Sequence, residues 1–174
     1  GGMNIAFAIM AAMCHRRETG QGQLVEIPSA EATVSFVNEA ITDYVMNGRV
    51  HDTLGNRDPS MAPQGCYPCA GEDNWLVISI ASDEEWEGMR RAMGDPEWAR
   101  NRAYVTVLGR YRNQDDLDRQ IVEWTIEHDH IELMNLLQTN GVPAAAVHDQ
   151  AELFADPQIR ERGYFEEVTQ PATG

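Results

Sequence analysis

The chain has 174 residues, enough to bury a core, and its 43% apolar and 24% charged residues are values typical of a globular protein. Its formal net charge is −15, from 28 acidic and 13 basic residues, and all of the basic residues are arginine. A surface this acidic repels phosphate backbones and anionic lipids, so nucleic-acid and membrane binding are not expected.

Neither a membrane-spanning segment nor a disulfide framework is predicted. The longest apolar stretch covers only residues 3–14, which is too short to cross a bilayer. Three cysteines, an odd number in a chain of this size, are typical of a reducing compartment, so we expect a cytoplasmic protein.

The first 48 residues predict a helix, a short strand and a second helix. Residues 3–18 are apolar on nearly every side, which is typical of a buried helix, and Thr19 and Gly20 would end it. Polar and apolar residues alternate over residues 23–27, as they do in a strand. The second helix is predicted over residues 30–46, followed by an Asn-Gly stop.

Residues 49–65 are rich in glycine, proline, aspartate and asparagine, which predicts a linker and loop at a domain boundary. Beyond them, strands are predicted over residues 66–67 and 75–80, joined by a turn over residues 71–74. The remaining predicted elements are helices over residues 83–93, 113–128, 130–139, 149–154 and 157–162 and a buried strand over residues 142–147.

Two groups of residues suggest other chemistry. Cys66 and Cys69 form a C-x-x-C pair, but they lie in a predicted strand and turn, whereas reactive thiols favour helix N-termini. A second pair that would complete a four-ligand zinc site is missing from the sequence. His128 and His130 lie in an acidic segment that straddles a helix break, which favours a solvated turn. We therefore expect no metal site, and thiol chemistry stays as an alternative.

Several motifs in a fixed order carry a family resemblance. The run R-R-E-T-G-Q-G-Q-L-V-E-I over residues 16–27 follows the apolar helix, and its glycines permit a tight reversal. The later motifs are E-A at 31–32, G-N-R-D-P at 55–59, A-P-Q-G-C-Y-P at 62–68, G-V-P-A-A-A-V at 141–147 and D-P-Q-I-R-E-R-G at 156–163. Together they resemble the family III CoA-transferases over essentially the whole chain. This CaiB/BaiF family includes carnitine, formyl and benzylsuccinate CoA-transferases and α-methylacyl-CoA racemase.

The resemblance implies a fold for each part of the chain. The family has a Rossmann-like large domain formed by both chain ends and a small α/β domain inserted between them, in interlinked subunits, so a homodimer is expected. Residues 1–48 would belong to the large domain with its connecting helix, and residues 49–65 would form the linker and active-site loop. Residues 66–148 would be the small domain, and residues 149–174 would return to the large domain. The expected fold class is α/β, in a partial chain that lacks the N-terminal half.

The resemblance also implies the chemistry. Family transferases move CoA from a thioester to a free carboxylic acid through an aspartyl intermediate, so acyl-CoA and a carboxylic acid are the expected substrates. A tightly bound cofactor is not expected. The matching aspartate would lie just upstream of Gly1, so no catalytic residue is expected within this chain.

A loop at the start of the family's small domain covers the reacting thioester and excludes water. The matching candidates for substrate binding are Gly55, Asn56, Arg57, Met61, Gln64 and Gly65, with Ser29 as a weaker one. Pro28 occupies the place where the family usually has serine, which puts a side-chain role at this position in doubt. The loop could instead be a solvated linker, and its backbone amides are better functional candidates than any single side chain.

Two alternative functions are kept. Racemases of this fold place a glutamate after the small domain's strand, where this chain has Ser82, and a serine cannot act as that carboxylate. Transfer is therefore favoured over racemisation. The other alternative is a binding or dimerisation module without catalysis, because the expected nucleophile lies outside the chain.

Overall fold

The computed structural model describes residues 2–169, which fall into two compact units on either side of the Thr53–Leu54 bond. The first unit contains three helices, α1 (Gly2–Thr19), α2 (Ser29–Val34) and α3 (Asn38–Asn47). Helix α1 ends where predicted, because Gly20 has φ +74° and its N–H donates to the Arg16 carbonyl at 2.8 Å. Its apolar side chains are not buried within the unit, since Phe7, for example, is 78% exposed.

Two predictions in the first unit are wrong. The strand predicted over residues 23–27 is absent, and residues 21–28 are irregular. A strand needs a partner for its backbone hydrogen bonds, and the described part of this unit contains no other strand. The helix predicted over residues 30–46 is interrupted between α2 and α3, where the Phe36 N–H donates to the Thr33 carbonyl at 2.9 Å and the Ser35 hydroxyl donates to the Ala32 carbonyl at 3.2 Å. Local bonds of this kind compete with the helix.

The second unit contains a three-stranded antiparallel sheet in the order β1 (Gln64–Pro68), β2 (Trp75–Ser79) and β3 (Ala144–Val147). Cys66 pairs with Val77, which in turn pairs with Ala145. One sheet face carries the fully buried Leu76 and Ile78, and the other leaves Val77 39% exposed. Strand β3 was predicted to be buried. This prediction is wrong on the more exposed face of the sheet, where Val147 is 45% exposed, because β3 is an edge strand.

The second unit also contains several helices. They are α4 (Asp83–Ala92), α5 (Val107–Arg112), α6 (Gln114–Thr125), α7 (His130–Thr139), α8 (Gln150–Ala155) and α9 (Pro157–Glu161). Helix α5 and two 3-10 turns, Glu97–Arg100 and Arg102–Tyr104, were not predicted from the sequence. Helix α6 ends three residues before its predicted end. The core between sheet and helices includes Leu76, Ile78, Trp86, Met89, Leu117, Ile121, Leu133 and Leu137.

Helices α4 and α7 approach each other closely at Gly88. A Cβ atom on Gly88 would clash with the Asn140 carbonyl oxygen, so only glycine fits. Among the described helices, none is long and apolar enough to cross a membrane. The boundary between the two units falls inside the predicted linker, and the four-part domain assignment stays a prediction.

Candidate active site

Five of the seven residues predicted to bind substrate line one cavity in the second unit. This loop cavity has a volume of about 310 Å³ and is lined by Gly55, Asn56, Arg57, Gln64, Gly65, Cys66 and Val77. Cys66 and Val77 are cross-strand partners on the sheet face that the helices leave open. The loop cavity is therefore formed by the start of the loop, by edge strand β1 and by the middle of β2.

The other two candidates lie elsewhere. Met61 is not among the residues that line the loop cavity, and it forms a bridge with Asp58 inside the loop. Ser29 belongs to the first unit, where it begins α2 and its carbonyl accepts a hydrogen bond from the Thr33 hydroxyl at 2.7 Å. A role in substrate binding stays a prediction for all seven residues.

The loop is held to the second unit near its C-terminal end. The Ala62 N–H donates to the Ile80 carbonyl at 2.9 Å, and the Ile80 N–H donates to the Pro63 carbonyl at 2.9 Å. Within the loop, the Asp58 carboxylate accepts hydrogen bonds from the Ser60 hydroxyl and N–H, which lower the pKa of Asp58. Residues 58–63 are thus ordered by local bonds and by extension of the sheet, a stiffer arrangement than a solvated linker.

The loop cavity has one charged lining residue, Arg57, and its charge is already balanced. The Arg57 Nη2 atom lies 2.7 Å from Asp118 Oδ2 and 2.6 Å from Asp115 Oδ1. These two carboxylates raise the pKa of Arg57. The wall therefore presents mainly neutral groups, the side-chain amides of Asn56 and Gln64 and the backbone of two glycines.

Sequence reasoning missed Arg110, which supports the loop from the core. Its side chain is fully buried, and its guanidinium lies 5.4 Å from the centre of the Trp86 ring. All five of its N–H groups donate to oxygen atoms at 2.6–3.3 Å, which are the carbonyls of Ala62, Ser82, Tyr104 and Val105 and the Asp83 carboxylate. Desolvation lowers the pKa of Arg110. Arginine is seldom buried, so the sequence contains no signal for this role.

The cysteine pair does not resemble a reactive thiol site. Burial raises the pKa of Cys66, and it raises the pKa of Cys69 to about 11, so both thiols are protonated near neutral pH. Within residues 2–169, no group of three or more metal-ligating side chains is present. These findings weigh against the thiol alternative.

The two histidines have separate environments. The solvated turn predicted here is wrong for His130, which is only 2% exposed and whose Nε2 lies 3.0 Å from the Glu152 carboxylate. His130 begins α7 on the same face as the buried Leu133 and Leu137, which explains its burial. His128 Nδ1 lies 2.7 Å from the Trp124 carbonyl oxygen.

Ser82 caps α4. Its hydroxyl accepts a hydrogen bond from the Glu85 N–H at 3.1 Å, and the Glu85 carboxylate accepts one from the Ser82 N–H at 3.2 Å. The hydroxyl at the position of the racemase glutamate therefore has a structural role.

Comparison with known proteins identifies the family. All of residues 1–174 match the family model described as CoA-transferase family III. The chain belongs to CoA-transferase family III. It is 34% identical to a succinyl-CoA:mesaconate CoA-transferase from Haloarcula marismortui, over 95% of this chain and 41% of that protein. It is 30% identical to a succinyl-CoA–D-citramalate CoA-transferase from Chloroflexus aurantiacus, over 97% of this chain and 42% of that protein.

A solved structure confirms the fold class. The chain superposes on a CaiB/BaiF family protein from Brucella suis with a TM-score of 0.79 and 26% identity, over 93% of this chain and 42% of that one. The α/β fold and the family resemblance were thus predicted correctly. The chain spans about two fifths of the length of these relatives, and 21% of a probable CoA-transferase from Mycobacterium tuberculosis that is 32% identical to it.

Proposed function

We propose that this chain forms the small domain and an adjoining part of the large domain of an enzyme that transfers CoA from an acyl-CoA thioester to a free carboxylic acid. The observation that carries the proposal is the loop cavity, because five residues chosen from the family motif line the same space. Membership of the CoA-transferase family supports the reaction class. We propose a homodimer as the assembled state, as the family resemblance implies.

The proposed reaction uses an aspartate that precedes Gly1 in the complete protein. The aspartate carboxylate attacks the thioester carbonyl carbon and CoA thiolate leaves, which gives a mixed anhydride. The thiolate then attacks the aspartyl carbonyl and releases the donor acid, which leaves an aspartyl-CoA thioester. The acceptor carboxylate reverses these two steps, so acceptor-CoA is released and the aspartate is restored.

In this scheme the chain contributes water exclusion and neutral hydrogen-bonding groups. An anhydride is lost to hydrolysis if water reaches it, so a wall of ordered backbone over the reacting carbonyl favours transfer. The hydrogen bonds of Ala62 and Pro63 to Ile80 give the loop that order. The amides of Asn56 and Gln64 can donate to a carbonyl or carboxylate oxygen without adding charge.

The relatives suggest the first substrates to test. Two are named for transfer from succinyl-CoA, one to mesaconate and one to D-citramalate. We therefore propose succinyl-CoA as a donor and a short dicarboxylic acid as the acceptor.

Thioester exchange by the complete protein tests the proposal. Incubation with succinyl-CoA and mesaconate or D-citramalate should yield acceptor-CoA and free succinate in equal amounts, measured by chromatography and mass spectrometry. Hydroxylamine added during turnover should convert the aspartyl thioester to a hydroxamate that peptide mapping places just before Gly1. Exchange that persists after replacement of this aspartate by alanine would refute the aspartyl intermediate.

A matched pair of variants tests the loop cavity. Gln64→Ala changes a lining residue and should lower the transfer rate by about tenfold or more, since misplacement near the reacting atoms is costly. Gln158→Ala makes the same chemical change on the exposed surface of α9 and should leave the rate within about twofold. Equal effects of the two substitutions on the transfer rate would argue against a role of this cavity in catalysis.

The alternatives predict different results. A racemase would exchange the α-proton of a 2-methylacyl-CoA with deuterium oxide and would need no acceptor acid. A binding module would retain CoA without producing a new thioester.

A further inference from the structure

The charge-balanced Arg57 belongs to a chain of contacts that reaches from the loop cavity to the core. Its Nη2 atom contacts Asp118 Oδ2 at 2.7 Å, across 61 residues of sequence. Asp118 lies on α6, a helix that packs against β1 on the covered side of the sheet. Because β1 is an edge strand, Arg57 can pass its edge and join the cavity wall to this helix.

The other oxygen of Asp118 is held by a buried phenol. Tyr67 is 3% exposed, and its hydroxyl donates to Asp118 Oδ1 at 2.8 Å. Burial and the nearby Asp118 carboxylate raise the pKa of Tyr67, so the phenol keeps its proton and stays a donor. The two oxygens of one carboxylate therefore join a core side chain to a loop side chain.

Tyr67 also packs against Gly65, a residue that lines the loop cavity. A Cβ atom built on Gly65 would lie 3.0 Å from the Tyr67 ring and hydroxyl. Residues 65 and 67 are two apart on β1 and share one face, which explains the approach. The same phenol thus touches a lining residue and sets the position of the carboxylate that holds Arg57.

These contacts stabilise the position of the loop rather than the fold. The Arg57 side chain is 39% exposed, and an ion pair this open to water contributes little to global stability. Residues 54–57 have few other bonds: Arg57 Nη2 also contacts the 84% exposed Asp115 at 2.6 Å, and the Arg57 N–H donates to the Leu54 carbonyl at 3.2 Å. Loss of the pair would therefore free this segment while the core stays intact.

We propose that Tyr67, Asp118 and Arg57 form a loop latch in which Asp118 is a positioning residue, holding residues 55–57 against the loop cavity so that acyl transfer outcompetes hydrolysis. This proposal rests on the proposed transferase function. Asp118 touches no reacting atom and acts only through Arg57 and Tyr67.

The test compares Asp118→Asn with Asp116→Asn in the complete protein. Both changes remove one negative charge from α6, but Asp116 is 61% exposed and pairs with Arg119 on its own helix. Asp118→Asn should raise the ratio of succinyl-CoA hydrolysis to transfer by about tenfold, and Asp116→Asn should leave it unchanged. Tyr67→Phe removes only the latch hydroxyl and should also raise the ratio of hydrolysis to transfer.

Amide hydrogen exchange tests the latch without any catalysis. The Arg57 amide should exchange about fivefold faster in Asp118→Asn than in the wild type, with no change in Asp116→Asn. An unchanged Arg57 amide would overturn the latch. Faster exchange with an unchanged hydrolysis ratio would overturn its role in transfer. A further outcome is that the wild type transfers no CoA while the Arg57 amide still exchanges faster in Asp118→Asn. That result would refute the proposed function but would support the latch contact.

Discussion

Replacement of Arg110 by methionine tests the claim that a buried arginine holds the loop and the second unit together. Methionine has a similar length and fills the space, but it donates no hydrogen bonds. The substitution removes one donor from each of five oxygen acceptors, of which the Ser82 carbonyl keeps a hydrogen bond from the Trp86 N–H at 3.4 Å. Val105 and Asp83 are more than half exposed and can turn to water, whereas the Ala62 and Tyr104 carbonyls belong to buried residues.

The expected loss follows from these two carbonyls. Each buried acceptor left unpaired costs about 1–3 kcal/mol, or about 2–6 kcal/mol for two. Loss of the contact with Trp86 adds up to about 2 kcal/mol. Release of the desolvation cost of the guanidinium opposes both, as it does when buried ion pairs are replaced by apolar groups. Here the carbonyls remain buried, so we expect a net loss of about 2–4 kcal/mol in the free energy of unfolding.

Urea unfolding followed by tryptophan fluorescence measures this loss. All four tryptophans, Trp75, Trp86, Trp98 and Trp124, lie in the second unit, so the signal reports that unit alone. Arg112→Met is the control, because Arg112 lies on the same helix and is exposed, and it should change stability by less than about 0.5 kcal/mol. A loss below about 1 kcal/mol for Arg110→Met, or one equal to the control, would refute the reasoning.

Three further predictions concern single contacts. Ser82→Ala removes the cap of α4 and should cost about 1 kcal/mol, seen as a lower urea midpoint, while Ser82→Asp should retain most of the stability. Gly88→Ala places a methyl group against the Asn140 carbonyl and should cost about 1–3 kcal/mol, and a neutral result would mean that α4 and α7 are further apart. For thiol labelling at pH 8, the exposed Cys14 should react, whereas Cys69 should react only near pH 11 or after unfolding, because its raised pKa keeps the thiolate scarce at lower pH. Rapid labelling of native Cys69 at pH 8 would contradict the assigned burial.

Elements with local start and stop signals were predicted well from the sequence. Helix α7 was predicted at its observed bounds from its Asn-Gly stop. In the structure the Asp129 carboxylate caps its start, and Gly141 follows its end with φ +79°. The capping box of Ser82 and Glu85 likewise gave the start of α4. In both cases the capping bonds join residues two or three positions apart, so sequence spacing alone contains them.

Elements that depend on distant partners were predicted poorly. Residues 23–27 alternate like a strand but lack a pairing neighbour in the described first unit. The short α5 contains Arg110, whose burial depends on acceptors as far away as Ala62. An arginine between Gly109 and Tyr111 gives no sign of such a partner, so its burial was not predicted.

The candidate site likewise combines features that the sequence reveals with a contact that only the structure reveals. The sequence alone determined the family, because a motif is an order of residue types that can be read without coordinates. It also supplied the loop residues as candidates, whose role in binding stays a prediction. Only the tertiary structure decided that Arg57 is paired with Asp118 rather than free for a substrate anion. The physical reason is that an ion pair depends on distance in space, and here the two charges lie 61 residues apart in sequence and 2.7 Å apart in the fold.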